Sequence, residues 1–99
     1  MPAYVLAIYD IVNQREYEPY VPAVIPLLQK HGAEVLVADY APRVLEGDSR
    51  GVVVVRFASE EAALNWYDDP AYAPVRKIRL ESTANGFACL AKQFVPPSS

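Results

Sequence analysis

A chain of 99 residues makes a single domain, near the lower limit of what buries a stable core alone. Its hydrophobic fraction of 53% is at or above the usual level for soluble proteins and suits a chain that hides extra surface in an oligomer. The net charge of −3 argues against nucleic acid as the main partner.

Ala3 to Val12 is mostly apolar and reads as a central strand, with Tyr4, Leu6 and Ile8 alternating against Val5, Ala7 and Tyr9. Met1-Pro2-Ala3 leads straight into it without a leader pattern, and no stretch approaches membrane-spanning length, so a cytoplasmic protein without membrane contact is expected. Asn13 is placed to cap a helix, with Glu16 at the capping-box position. Tyr17, Tyr20, Val21, Val24, Leu27 and Leu28 follow at three- and four-residue steps, so one face should be buried. Pro19, Pro22 and Pro26 fall off that stripe and predict a kink. His31-Gly32 closes the helix, because glycine tolerates the left-handed conformation.

Ala33 to Asp39 reads as a second strand, followed by a turn at Tyr40-Ala41-Pro42 and a short strand over Arg43 to Glu46. The loop from Gly47 to Gly51 lacks the Lys-Ser/Thr of a phosphate loop and reads as a hairpin connection. Val52 to Phe57 is the stretch around which the rest is organised. Val53, Val55 and Phe57 share one face, and Val52, Val54 and Arg56 share the other. Both faces are mainly apolar, yet the chain has helices enough for one; the second needs a partner subunit or a ligand.

Ser59 is a natural N-cap, Glu60 and Glu61 sit where the helix dipole favours negative charge, and Ala62 excludes a full capping box. Ala62, Ala63, Trp66, Tyr67 and Pro70 then share a face. Asp69-Pro70 signals a new start, giving a third helical segment from Pro70 to about Glu81, irregular at Pro74. Arg76, Lys77 and Arg79 read as its solvated face, interleaved with buried Val75, Ile78 and Leu80. Asn85-Gly86 ends the connection, and Phe87 to Phe94 is the last strand. Residues 1–94 therefore form one domain and 95–99 a C-terminal tail with little to bury it.

Candidate chemistry is sparse. A single histidine excludes a two-histidine metal site within one chain, and a single cysteine excludes an internal disulfide, so neither metal nor cofactor is expected. His31, at a predicted helix C-terminus, either merely ends that helix or serves as a catalytic acid or base at a cleft mouth. Cys89, between apolar neighbours, reads as an inert packed thiol. Tyr17, Tyr20, Trp66, Tyr67 and Tyr72 lie on helices that must meet the sheet, where they either fill the core or line a pocket of several hundred Å³. Arg56 is the odd residue on an apolar strand face and needs a carboxylate, such as Glu46 or Asp10, or an anionic ligand. The candidate ligand-binding set is thus Tyr17, Tyr20, Arg56, Trp66 and Tyr72.

Glu61-Ala62-Ala63, Trp66-Tyr67-Asp68, Pro70 and Tyr72, with the opening Ala3 to Ala7 and the segment Val44 to Asp48, resemble the bacterial family called domain of unknown function 1330. The likeness covers most of residues 3 to 93, and the family it points to lies within the dimeric α+β-barrel, ferredoxin-like group. It implies an α+β sandwich with an antiparallel sheet, helices on one face, and a homodimer joined through the other. Related barrels bind small organic molecules between sheet and helices, and some act as cofactor-independent monooxygenases or isomerases on phenolic or polyketide-like substrates. The resemblance therefore implies a small-molecule binder, with such an enzyme, or an interaction module without a ligand, as alternatives. Glu34 and Ala38 stand where relatives often carry basic residues, and Asp39-Tyr40 replaces a frequent glycine pair; both departures count against an anion in the cleft.

Overall fold

The computed structural model describes residues 1–97. In chain order the elements are β1 (Ala3–Ile11), α1 (Gln14–Tyr17), α2 (Tyr20–Lys30), β2 (Glu34–Asp39), β3 (Gly51–Phe57), α3 (Glu60–Tyr67), α4 (Tyr72–Ser82) and β4 (Thr83–Lys92). The strands form one sheet in the order β2-β3-β1-β4, every neighbouring pair antiparallel. This is the α+β ferredoxin-like arrangement expected. No helix is long and apolar enough to cross a membrane among the described residues.

Register explains the two faces. Val5 lies opposite Val55 and Leu90, and Ala7 opposite Val53 and Ala88, so these side chains share the face that the helices cover. There Tyr9, Tyr17, Tyr20, Val24, Leu28, Val55, Phe57, Ala63, Trp66 and Tyr72 form the core. On the other face Leu6 lies opposite Val54 and Cys89, and Ile8 opposite Val52 and Phe87. Among the described residues no element covers that face, where Phe87 is 54% exposed. The shortest principal dimension, 16 Å, is that of one sheet with one layer of helices.

The helix signals hold at their starts. Asn13 Oδ1 accepts a hydrogen bond from the Glu16 amide at 3.1 Å, and Ser59 Oγ accepts one from the Ala62 amide at 3.0 Å. The expected kinked helix is instead two helices. Pro19 is the N-cap residue of α2 and Pro22 lies in its first turn, where amides have no intrahelical acceptor in any case, leaving only Pro26 inside. Gly32, at φ 68°, closes α2 in the left-handed region.

Other expectations are corrected as well. Arg43 to Glu46 forms no strand, and Leu45 is 88% exposed. Asp69 Oδ1 accepts from the Ala71 amide at 2.9 Å, making a turn ahead of α4, which starts at Tyr72; Pro74 then falls in its first turn and disturbs nothing. The helical segment passes straight into β4 at Thr83, and Asn85, at φ 55°, marks a slip in pairing between Ile8 and Asp10, a bulge within the strand. The strand ends at Lys92. Of the tail expected over 95–99, residues 95–97 carry no regular structure, and Ser98 and Ser99 lie outside the described residues.

Candidate functional site

Between the helix layer and the sheet lies a cavity of about 160 Å³. Val5, Ala7, Val53 and Val55 line it from the sheet, Tyr17, Tyr20, Val24 and Leu28 from α1 and α2, and Trp66, Tyr72 and Arg79 from α3 and α4. The volume is smaller than the several hundred Å³ expected of a general ligand pocket, because phenol pairs occupy much of the space between the layers.

Two hydrogen-bonded phenol groups frame the cavity. Tyr17 Oη lies 2.6 Å from Tyr9 Oη and 3.0 Å from Tyr40 Oη, while Tyr20 Oη lies 2.8 Å from Tyr72 Oη. Gly51 leaves room beside the first group: a Cβ there would come tightly against the Tyr9 carbonyl oxygen at 3.1 Å and Tyr40 at 3.3 Å. Burial pushes the Tyr9 phenol up to about 12. Burial raises Tyr17 further, reinforced by its bonds to Tyr40 and Tyr9, and raises Tyr20 together with the neighbouring Tyr72 oxygen. At neutral pH Tyr9, Tyr17 and Tyr20 are uncharged donors and acceptors, not phenolate bases.

Among the described residues Arg79 is the one charge in the cavity lining. It is 6% exposed, and its guanidinium carbon lies 5.8 Å from the centroid of the Tyr9 ring. Burial works against its charge, but the phenol oxygens of Tyr72 and Tyr20 outweigh this and hold its pKa above the ordinary value. Among the described residues no carboxylate lies within ion-pair distance of it. The solvated-face expectation for Arg79 is thus corrected, and so is its companion, because Leu80 is 57% exposed. Trp66 Nε1 is an unmet donor, buried with no protein acceptor among the described residues.

The structure brings together Tyr17, Tyr20, Trp66 and Tyr72 but not Arg56, which shares the open face with Tyr4 and Glu34, its neighbours in register. Among the described residues no ion pair joins Arg56 to Glu46 or Asp10; Asp10 Oδ2 accepts from Asn85 Nδ2 at 3.1 Å instead. Cys89 shares that open face through its pairing with Leu6 and is half-buried. Tyr9, Tyr40 and Arg79 are the site residues that the sequence reading missed. For Arg79 a signal existed, since it follows Tyr72 by seven residues, two helical turns, and so shares its face. Among the described residues no cluster of His, Cys, Asp and Glu is placed to hold a metal ion.

His31 is not part of the lining. Its Nε2 lies 2.9 Å from Asp69 Oδ2, which also accepts from Lys30 Nζ at 2.9 Å, so the end of α2 is tied to the turn before α4. His31→Gln is therefore expected to change ligand binding in the cavity by no more than a few-fold; in any activity found, a loss of about 100-fold would assign an acid–base role instead. Asp69 is held well below the usual carboxylate range by His31 first, then by Lys30 and the Ala71 amide. A carboxylate whose folded pKa lies below its unfolded value of about 3.9 stabilises the fold above that value, and the contribution is lost as pH falls through the folded one. The stability gap between wild type and Asp69→Asn, followed by urea denaturation, should accordingly shrink below about pH 4. A gap unchanged down to about pH 2 would show that ionised Asp69 contributes nothing.

The family described as domain of unknown function (DUF1330) matches residues 2–92. No curated protein matches the chain. Among solved structures, a protein of unknown function from Rhodopseudomonas palustris, RPA0582, superposes with a TM-score of 0.77 at 17% identity, over 96% of this chain and 84% of that one. SnoaB from Streptomyces nogalater, described as a cofactor-independent oxygenase, superposes with a TM-score of 0.63 at 14% identity, over 97% of each chain. A dabb-family protein with a ferredoxin-like fold from Mesorhizobium loti gives 0.62 at 12% identity over 98% of each chain. At these identities the likeness is one of fold.

Proposed function

We propose that this chain, which belongs to the DUF1330 family, is a cytoplasmic homodimer that holds a ring-sized organic molecule between its helices and its sheet. The observation that carries this reading is the cavity itself. Protein interiors are close-packed, and about 160 Å³ left open among aromatic and aliphatic side chains is a departure from that rule. A dry apolar cavity of about 150 Å³ is enough to bind benzene. The space therefore suits one ring, not a polycyclic substrate.

Support for the homodimer comes from the uncovered sheet face, where Leu6, Ile8, Val52 and Val54 are neighbours in register. The cytoplasmic reading rests on a chain with one cysteine, which has no internal disulfide to demand an oxidising compartment. SnoaB's description supports a second reading only as a precedent for the scaffold, an oxygenase without a cofactor. Oxygen uptake in the presence of a bound phenol tests it.

Binding has a built-in probe. Trp66, which lines the cavity, is the only tryptophan of the chain, so its fluorescence reports occupancy. Toluene is expected to change that fluorescence saturably, and Ala7→Leu, which extends a side chain into the space, is expected to abolish the change. No saturable response in the wild type, or an equal response in Ala7→Leu, would remove the cavity as a binding site.

A further inference from the structure

We infer that the ligand of this cleft is a ring-sized organic carboxylate, with Arg79 as its counter-ion. The inference rests on the reading of the cavity as a binding site and deepens it.

The phase of α4 is the first observation. The helix buries Tyr72, Arg79 and Ser82 on one face while leaving Leu80 exposed. An arginine has a long, flexible stem that ordinarily carries its head to water. Here it does the reverse, one residue away from a leucine left outside. Around the guanidinium stand the Tyr9 ring and the phenols of Tyr20 and Tyr72, none of them a carboxylate. A buried cation normally has a carboxylate partner, and among the described residues this one has none. The missing negative charge is therefore the ligand's to supply.

Trp66 Nε1 is the second, independent observation. It is a buried donor without a protein acceptor among the described residues, and its residue belongs to the same cavity lining. A cation without a carboxylate and a donor without an acceptor, both on residues that line one apolar cleft, have an anionic oxygen acceptor as their common complement. The planar guanidinium fork matches a carboxylate in two parallel hydrogen bonds. A single cation balances one negative charge, which favours a carboxylate over a phosphate dianion. The departures at Glu34 and Ala38 do not oppose this, since the positive charge comes from α4 and not from β2.

Benzoate and benzamide, nearly equal in shape and differing in charge, make the test. Each is titrated into the wild-type protein at low salt, read by Trp66 fluorescence and by calorimetry. Benzoate is expected to bind at least about ten-fold more tightly than benzamide, and Arg79→Met is expected to level or reverse that preference. Arg79→Lys, which keeps the charge and loses the fork, should retain part of it. Benzamide bound as tightly as benzoate by the wild type would overturn the carboxylate and leave the cavity reading standing. An unchanged preference in Arg79→Met would take the counter-ion role away from Arg79. If neither compound nor toluene binds, the cavity reading itself falls and takes the inference with it. The wild-type comparison stands even where Arg79→Met fails to fold.

Discussion

Val54→Asp is expected to yield unfolded or aggregated protein and not a stable monomer. Val54 sits mid-sheet on the uncovered face, opposite Leu6 on one side and Val37 on the other, with Ile8 and Val52 paired beside it. Leaving Leu6, Ile8, Val52 and Val54 in water would forfeit up to about 1.5–3 kcal/mol each, and part of that is already recovered by contacts along the sheet. Even the lower end of the sum rivals the roughly 5–15 kcal/mol that stabilises a small domain. An isologous pairing covers the same patch on both copies in one two-fold operation and should bury well over about 1,000 Å² with an apolar centre. Aspartate at position 54 would put an unpaired charge in that centre. Sedimentation of the wild type at micromolar concentration decides whether the premise holds. A well-folded species at the chain mass of 11.0 kDa would rule out the dimer, whereas a species of twice that mass that Val54→Asp abolishes would establish the face.

The sheet was legible because strand faces follow from period two alone. Once β1 and β3 were read as strands, the sorting of Val5, Ala7, Val53 and Val55 from Leu6, Ile8, Val52 and Val54 was forced, and the observed register keeps it. Caps were legible for the same local reason: Asn13 and Ser59 satisfy amides three residues ahead. What failed depended on distant parts of the chain. Val44 and Leu45 are apolar enough for a strand, but among the described residues no strand lies alongside to pair with them. Asn85 takes the positive φ its type tolerates, yet whether that makes a turn or a bulge is decided by its pairing with β1.

The two arginines exchanged roles for a related reason. Arg56 looked out of place because its strand neighbours are valines, and it proved to lie on the open face, outside the cavity. Arg79 looked ordinary among charged neighbours, although the helix buries it. Arg79 shares the Tyr72 face by its seven-residue spacing wherever the helix begins. The polarity of Arg76 and Lys77 suggested a solvated face, whereas the burial of Tyr72 decides which face turns inward. A reading that took the face from Tyr72 and not from the charges would have found it.

Trp66→Ala is expected to cost about 3–5 kcal/mol, the loss that follows truncation of a large ring in a core. The ring is 4% exposed and packs with its centroid 4.3 Å from that of Tyr72 and 5.5 Å from that of Phe57, joining α3 to α4 and to the sheet. Truncation would also merge the vacated volume with the existing cavity, so the neighbours have little reason to collapse inward and the upper part of the range is favoured. The measurement is urea denaturation followed by circular dichroism, since the variant has no tryptophan left to report. Wild type and variant must be compared at one protein concentration, because an oligomer's apparent stability depends on it. A loss below about 1 kcal/mol, coupled to loss of toluene binding, would show that the ring belongs to the binding surface more than to the core. A loss of several kcal/mol that added toluene partly restores would show that it serves both, with the ligand completing the packing that the aromatic side chains leave unfinished.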